Sequence, residues 1–80
     1  MNITRHAFER MLERNFTVEM LGKFLRQKRL RWSPTEKDGV SKITAEVDNQ
    51  FWTLIVTDDL KTLITIRRAH EDEVQDAKEG

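Results

Sequence analysis

Eighty residues, 38% hydrophobic and 35% charged, have the size and composition of one small globular domain. With no cysteine, the chain can form neither a disulfide nor a thiolate metal site, so a thin core or a partner must hold it together. The formal net charge of zero splits by halves. Residues 1–40 carry nine Lys/Arg against five Asp/Glu, a net +4, and residues 41–80 carry five against nine, a net −4. Such a dipolar chain offers one basic region to an anionic partner. The opening MNITRHAFER lacks the apolar stretch of a secretory signal, and no apolar run reaches the ~20 residues of a membrane span. The expectation is a cytoplasmic protein with no membrane partner.

Ile3-Thr4 reads as a helix entry with Thr4 as N-cap. From Arg5 to about Arg14, Ala7, Phe8, Met11 and Leu12 recur at the spacing of an amphipathic helix. Asn15-Phe16 interrupts the pattern and Thr17 is the next cap. Val18, Leu21, Phe24 and Leu25 then predict a second helix to about Arg29. Past Trp32 the period changes. Ser33-Pro34 and Lys37-Asp38-Gly39 carry turn chemistry, and Val40 to Val47 alternates as a strand. After a turn at Asp48-Asn49-Gln50, the run FWTLIVT (51–57) is apolar on both faces and fits a central strand. Asp58-Asp59 is a turn and Thr62 to Arg67 a further strand, with Leu30-Arg31-Trp32 available as a short edge.

The expected architecture is therefore α+β: two N-terminal helices followed by a three- or four-stranded antiparallel sheet, in a single domain over residues 1–70. Residues 71–80 contain Glu71, Asp72, Glu73, Asp76 and Glu79 and read as a solvated helix end or frayed acidic tail. Lying over the basic half, such a tail would compete with phosphate. Deleting it would then tighten RNA binding at low salt.

Three groups of residues point to chemistry. His6, Arg10 and Arg14 stand at i, i+4, i+8, roughly 0°, 40° and 80° around the first helix, in one stripe bordering its apolar arc. Like charges at that spacing repel, so the stripe suggests a bound anion, phosphate above all; alternatively it is a solvated face neutralised by Glu9 and Glu13. In the last strand, period-2 alternation puts Leu63, Thr65 and Arg67 on one face and Ile64 and Ile66 on the other. Lys23, Arg26, Lys28, Arg29 and Arg31, followed by Trp32, suit a nucleic-acid backbone and an adjacent base, and equally suit a helix C-terminus. The two histidines are too far apart to suggest a metal site, Asp48 with Asp59-x-Lys61 sits in turns, and three glycines make no phosphate loop. No metal or other cofactor is expected.

The stretch from Thr4 to Thr17, with its His-Ala-x-x-Arg-Met-x-x-Arg pattern, resembles the opening of a family of small domains of unknown function. That family closes on a strand of the Ile-Ile-Thr-Val type, here Leu63-Ile64-Thr65-Ile66, and is grouped with the barnase–EndoU–colicin–RelE superfamily of toxin ribonucleases. The resemblance spans about residues 4–67. It implies a RelE/barnase-like fold, His6, Arg10, Arg14 and Thr65 as catalytic positions, and metal-independent endoribonuclease activity on tRNA or mRNA. Arg67 would add charge, and His70 would be a second acid/base group if the chain folds back. It also implies a cognate antitoxin or immunity protein. The other reading of the same residues is a non-catalytic binding module, a phage or mobile-element inhibitor or accessory protein whose basic helices meet protein or nucleic acid.

Overall fold

Thr4 and Thr17 begin the two expected helices in the computed structural model, which describes residues 1–79. The Thr4 Oγ1 accepts from the Ala7 N–H (3.0 Å) and Thr17 Oγ1 from the Met20 N–H (3.1 Å), so each satisfies one free donor of a first turn. Helix α1 runs Arg5–Glu13 and α2 Val18–Leu25. Between them Asn15 takes the left-handed conformation (φ 56°). The Asn15 N–H then bonds the Leu12 carbonyl and the Phe16 N–H reaches back to Met11, a Schellman closure with Asn in the usual glycine place. The same turn drops Phe16 into the core.

Two strands frame these helices: β1, Asn2–Ile3, precedes α1, and β2, Arg31–Pro34, follows α2. Then come β3 (Val40–Val47), β4 (Gln50–Thr57), β5 (Thr62–Arg68) and a third helix, α3 (Glu71–Glu79). The five strands lie in the order β1-β5-β4-β3-β2, so FWTLIVT is central as expected. The β3–β4 hairpin turns on Asp48-Asn49, both with positive φ (52° and 66°), the conformation of a two-residue type I′ loop. No helix is long and apolar enough to cross a membrane among the described residues.

The chain is α+β, but several details differ from the expected layout, beginning with five strands in place of three or four and a third helix after them. The sheet is mixed, because β1 pairs with β5 in parallel; a two-residue strand is too short to show a period. Ser33-Pro34 ends β2 rather than forming a turn, and β2 is an edge strand, where proline's missing N–H is tolerated. Helix α2 stops at Leu25 with Arg26 as its C-cap, so Lys28 and Arg29 lie in the following loop. The run of cations there gains nothing from helical stacking, and the Gln27 side-chain amide instead donates to the Glu46 carbonyl. Lastly, the acidic stretch 71–79 is a docked helix rather than a frayed tail, for a reason that lies in Glu73.

The sheet's two faces do different work. One carries Ile43, Ala45, Val47, Trp52, Leu54, Val56, Leu63 and Ile66 against Ala7, Met11, Phe16, Leu21 and Phe24 of the first two helices and their joint. Within this core the Phe16 and Trp52 rings meet edge-on at 5.0 Å. Leu63 and Ile66 share this face although they are three residues apart. The register slips between Ile55 and Val56 of β4, which oppose Thr65 and Leu63, leaving Ile64 as an extra residue in a β-bulge. The expected grouping of Leu63 with Thr65 and Arg67 thus fails at the bulge, whereas Thr65 and Arg67 do share a face. The opposite face carries the row Thr44–Thr53–Arg67, and α3 lies on it.

Candidate functional site

Helix α1 starts at the β5 edge because its cap residue is bonded to that strand. The Thr4 N–H donates to the Leu63 carbonyl (3.1 Å) and the Thr4 hydroxyl to the Ile64 carbonyl (2.8 Å). One hydroxyl therefore caps the helix and engages the bulge. The first turn of α1 is thus tied to β5 one residue before Thr65, while the Thr65 side chain shares its sheet face with Arg67, opposite the face on which Ala7 and Met11 pack. His6 is exposed, and Thr65 is half-buried opposite Ile55. Arg10 is half-buried and donates to Glu13 (2.7 Å), while Arg14 is the exposed C-cap of α1. No hydrogen bond joins His6, Arg10 or Arg14 to Thr65 among the described residues. Ala7 and Met11 are the buried positions of α1, so the stripe borders the core as its spacing predicts.

The basic run divides. Lys23, Arg26, Gln27, Lys28 and Arg29 line a shallow open depression after α2. Lys23 pairs loosely with Asp48 (3.6 Å), but Arg26, Lys28 and Arg29 are exposed and make no ion pair among the described residues. Arg31 is taken up by Asp76 of α3 in a two-pronged contact of 2.9 and 3.1 Å. Trp32 is 43% exposed on the edge strand, while Trp52 is buried, its indole N–H without a partner among the described residues.

Arg67 enters a constellation whose other members sequence reasoning missed. Glu73, the only buried residue of α3, places its carboxylate on the polar sheet face. Its Oε1 accepts from Arg67 Nη1 (2.6 Å), the His70 N–H (2.8 Å) and Thr53 Oγ1 (3.0 Å). Its Oε2 accepts from Arg67 Nη2 (2.9 Å) and Lys42 Nζ (3.1 Å). Thr44 and Thr53 share a further hydrogen bond at 2.9 Å. Burial pushes the Glu73 carboxyl up, but Arg67, the His70 N–H, Lys42 and Thr53 outweigh it and hold the group well below the usual carboxylate range. The Arg67 guanidinium is correspondingly raised by its bond to Glu73. The chain does fold back after Arg68, bringing the His70 Nδ1 to 3.9 Å from Glu73, with the ring mostly exposed. The signal available in the sequence was Thr53 inside an apolar run.

Asp59, one of the carboxylates set aside as turn residues, accepts from the Thr57 hydroxyl (2.7 Å) and the Lys61 N–H (2.9 Å). The Lys61 N–H and Thr57 hydroxyl hold its carboxyl below the ordinary value. Asp48 lies at the other end of β4, roughly 25 Å away along an eight-residue strand. No group of three or more His, Cys, Asp or Glu is arranged to hold a metal among the described residues. No protein-family model matches this chain, and neither the curated proteins nor the solved structures give a significant match.

Proposed function

We propose that this chain is a toxin-like endoribonuclease of RelE/barnase-like fold, acting in the cytoplasm on tRNA or mRNA. The observation that supports this reading is the double engagement of Thr4 with Leu63 and Ile64, which ties the first turn of α1 to β5 one residue before Thr65. In the reaction the ribose 2′-oxygen attacks the adjacent phosphorus and the 5′-oxygen leaves, giving a 2′,3′-cyclic phosphate and a free 5′-hydroxyl. His6 moves a proton on or off a ribose oxygen, a role an imidazole can fill as acid or base. Arg10 and Arg14 offset charge on the pentavalent phosphate, and Thr65 positions it. His70 stands on the α3 side as a second proton-transfer group. An antitoxin or immunity protein would restrain the activity. Phe8, Leu12 and Val18, each half or more exposed on α1 and α2, are apolar surface available to such a partner.

Cleavage of tRNA or structured mRNA in excess EDTA, with cyclic-phosphate ends and loss in His6→Ala, is the expected result. A folded wild-type protein that leaves both RNAs intact overturns it. A second reading, an RNA- or protein-binding module without catalysis, is favoured by Arg26, Lys28 and Arg29 around the depression after α2, which make no ion pair among the described residues. It predicts binding that needs Arg26 and Arg29 and tolerates His6→Ala.

A further inference from the structure

Helix α3 is held to the sheet in an unusual way. Its buried residue is an acid, with Val74 and Ala77 only partly covered. The other ties are polar or cationic: Asp76 with Arg31, and the Lys78 ammonium 5.8 Å above the Phe51 ring. A helix docked by an apolar stripe belongs to the core and stays there. This one is docked by a carboxylate set among two cations and a hydroxyl. Glu73 does serve as the third helical residue reaching back to the N-cap His70 N–H, as in half of a capping box. That role explains one of its five hydrogen bonds. The other four come from Lys42, Thr53 and both Arg67 nitrogens, all carried by the sheet.

We infer that Lys42, Thr53 and Arg67 form a phosphoryl-binding site on the sheet face, occupied in cis by the Glu73 carboxylate until α3 swings away. Three observations carry this. The Arg67 fork meets both Glu73 oxygens in the two-pronged geometry that guanidinium offers equally to carboxylate and phosphate. The donors sit on strands β3, β4 and β5, so they stay in place when the helix leaves. Arg67 and Thr65 share one face of β5, which puts the covered site beside a residue assigned to RNA. Opening without a substitute anion strands two partly buried cations, whereas opening onto phosphate re-pairs them. An oxyanion that binds only the open form therefore shifts the helix outward by mass action.

The inference rests on the reading that phosphate is this protein's ligand, so its test avoids cleavage altogether. Amide hydrogen exchange of α3 would be followed in the full-length wild-type protein with tripolyphosphate, with a 2′-O-methyl RNA oligonucleotide, and with KCl at matched ionic strength. Exchange at Val74, whose N–H bonds the His70 carbonyl, should accelerate and saturate with a phosphoryl ligand and not with KCl. Acceleration by both ligands assigns the site to backbone phosphate; acceleration by tripolyphosphate alone assigns it to free phosphate. Glu73→Gln should bind tripolyphosphate about tenfold or more tighter than wild type, and adding Arg67→Gln should remove the gain. No phosphoryl-specific acceleration in the wild type overturns the inference, whether or not the variants fold. Failure of the EDTA cleavage assay with these exchange effects intact would instead reject the nuclease and keep the site.

Discussion

Replacing Glu73 by Gln keeps the shape of the side chain and removes its charge, so the cost can be worked from its hydrogen bonds. An amide oxygen in place of Oε1 retains the bonds from Thr53, the His70 N–H and Arg67 Nη1. The amide nitrogen in place of Oε2 faces Lys42 Nζ and Arg67 Nη2, two donors, and both charge-assisted bonds disappear. Each is worth about 1.5–3 kcal/mol. The Lys42 and Arg67 side chains are 31% and 28% exposed, so water recovers part of the loss. The expected net destabilisation at pH 7 is about 2–3 kcal/mol, or a fall in Tm of roughly 10–20 °C for a domain of this size. The carboxyl titrates lower in the fold than its unfolded value of about 4.3, so its stabilisation is complete above that pH and is lost as pH falls through the folded value. Urea unfolding of both proteins at pH 7, 5 and 3 checks this. The gap between them should be widest at pH 7, little changed at pH 5 and narrower at pH 3. Asp59, also titrating low, is common to both chains and drops out of the difference. A gap below about 0.5 kcal/mol at pH 7, or one independent of pH, would refute the account of how α3 is held.

Three other substitutions probe separate links. Thr4→Ala removes both the α1 cap and the bond to Ile64, and should cost about 1–2 kcal/mol by urea unfolding; under the nuclease reading it also slows cleavage, because the first turn of α1 is no longer tied to the bulge. Trp52→Phe keeps an aromatic ring against Phe16 and deletes a buried N–H that has no partner among the described residues. The loss should stay under about 1.5 kcal/mol, well short of a core aromatic cut to alanine, as thermal unfolding would show. Replacing Arg26 and Arg29 together by Gln should weaken RNA binding and flatten the slope of log affinity against log salt. The flattening should be about 0.7 for each phosphate no longer neutralised, measured by fluorescence anisotropy over roughly 50 to 200 mM salt.

Local chemistry was enough to determine from the sequence alone where the first two helices begin, where the hairpins turn and which strand is central. Thr4 and Thr17 act on donors three residues away, Asp48-Asn49 need only their own left-handed φ, and the both-sided apolarity of FWTLIVT requires cover on both faces. The stripe of His6, Arg10 and Arg14 was equally legible, since helical spacing sets it. What required the tertiary structure were interactions between residues far apart in the chain. The parallel β1–β5 pairing joins Ile3 to Leu63, and the bulge that regroups Leu63 with Ile66 exists only in register with β4. Likewise, nothing in HEDEVQDAKEG (70–80) distinguishes Glu73 from its acidic neighbours. It becomes the anchor of a helix because Lys42, Thr53 and Arg67, brought side by side on three strands, converge on its carboxylate and offset the cost of burying it.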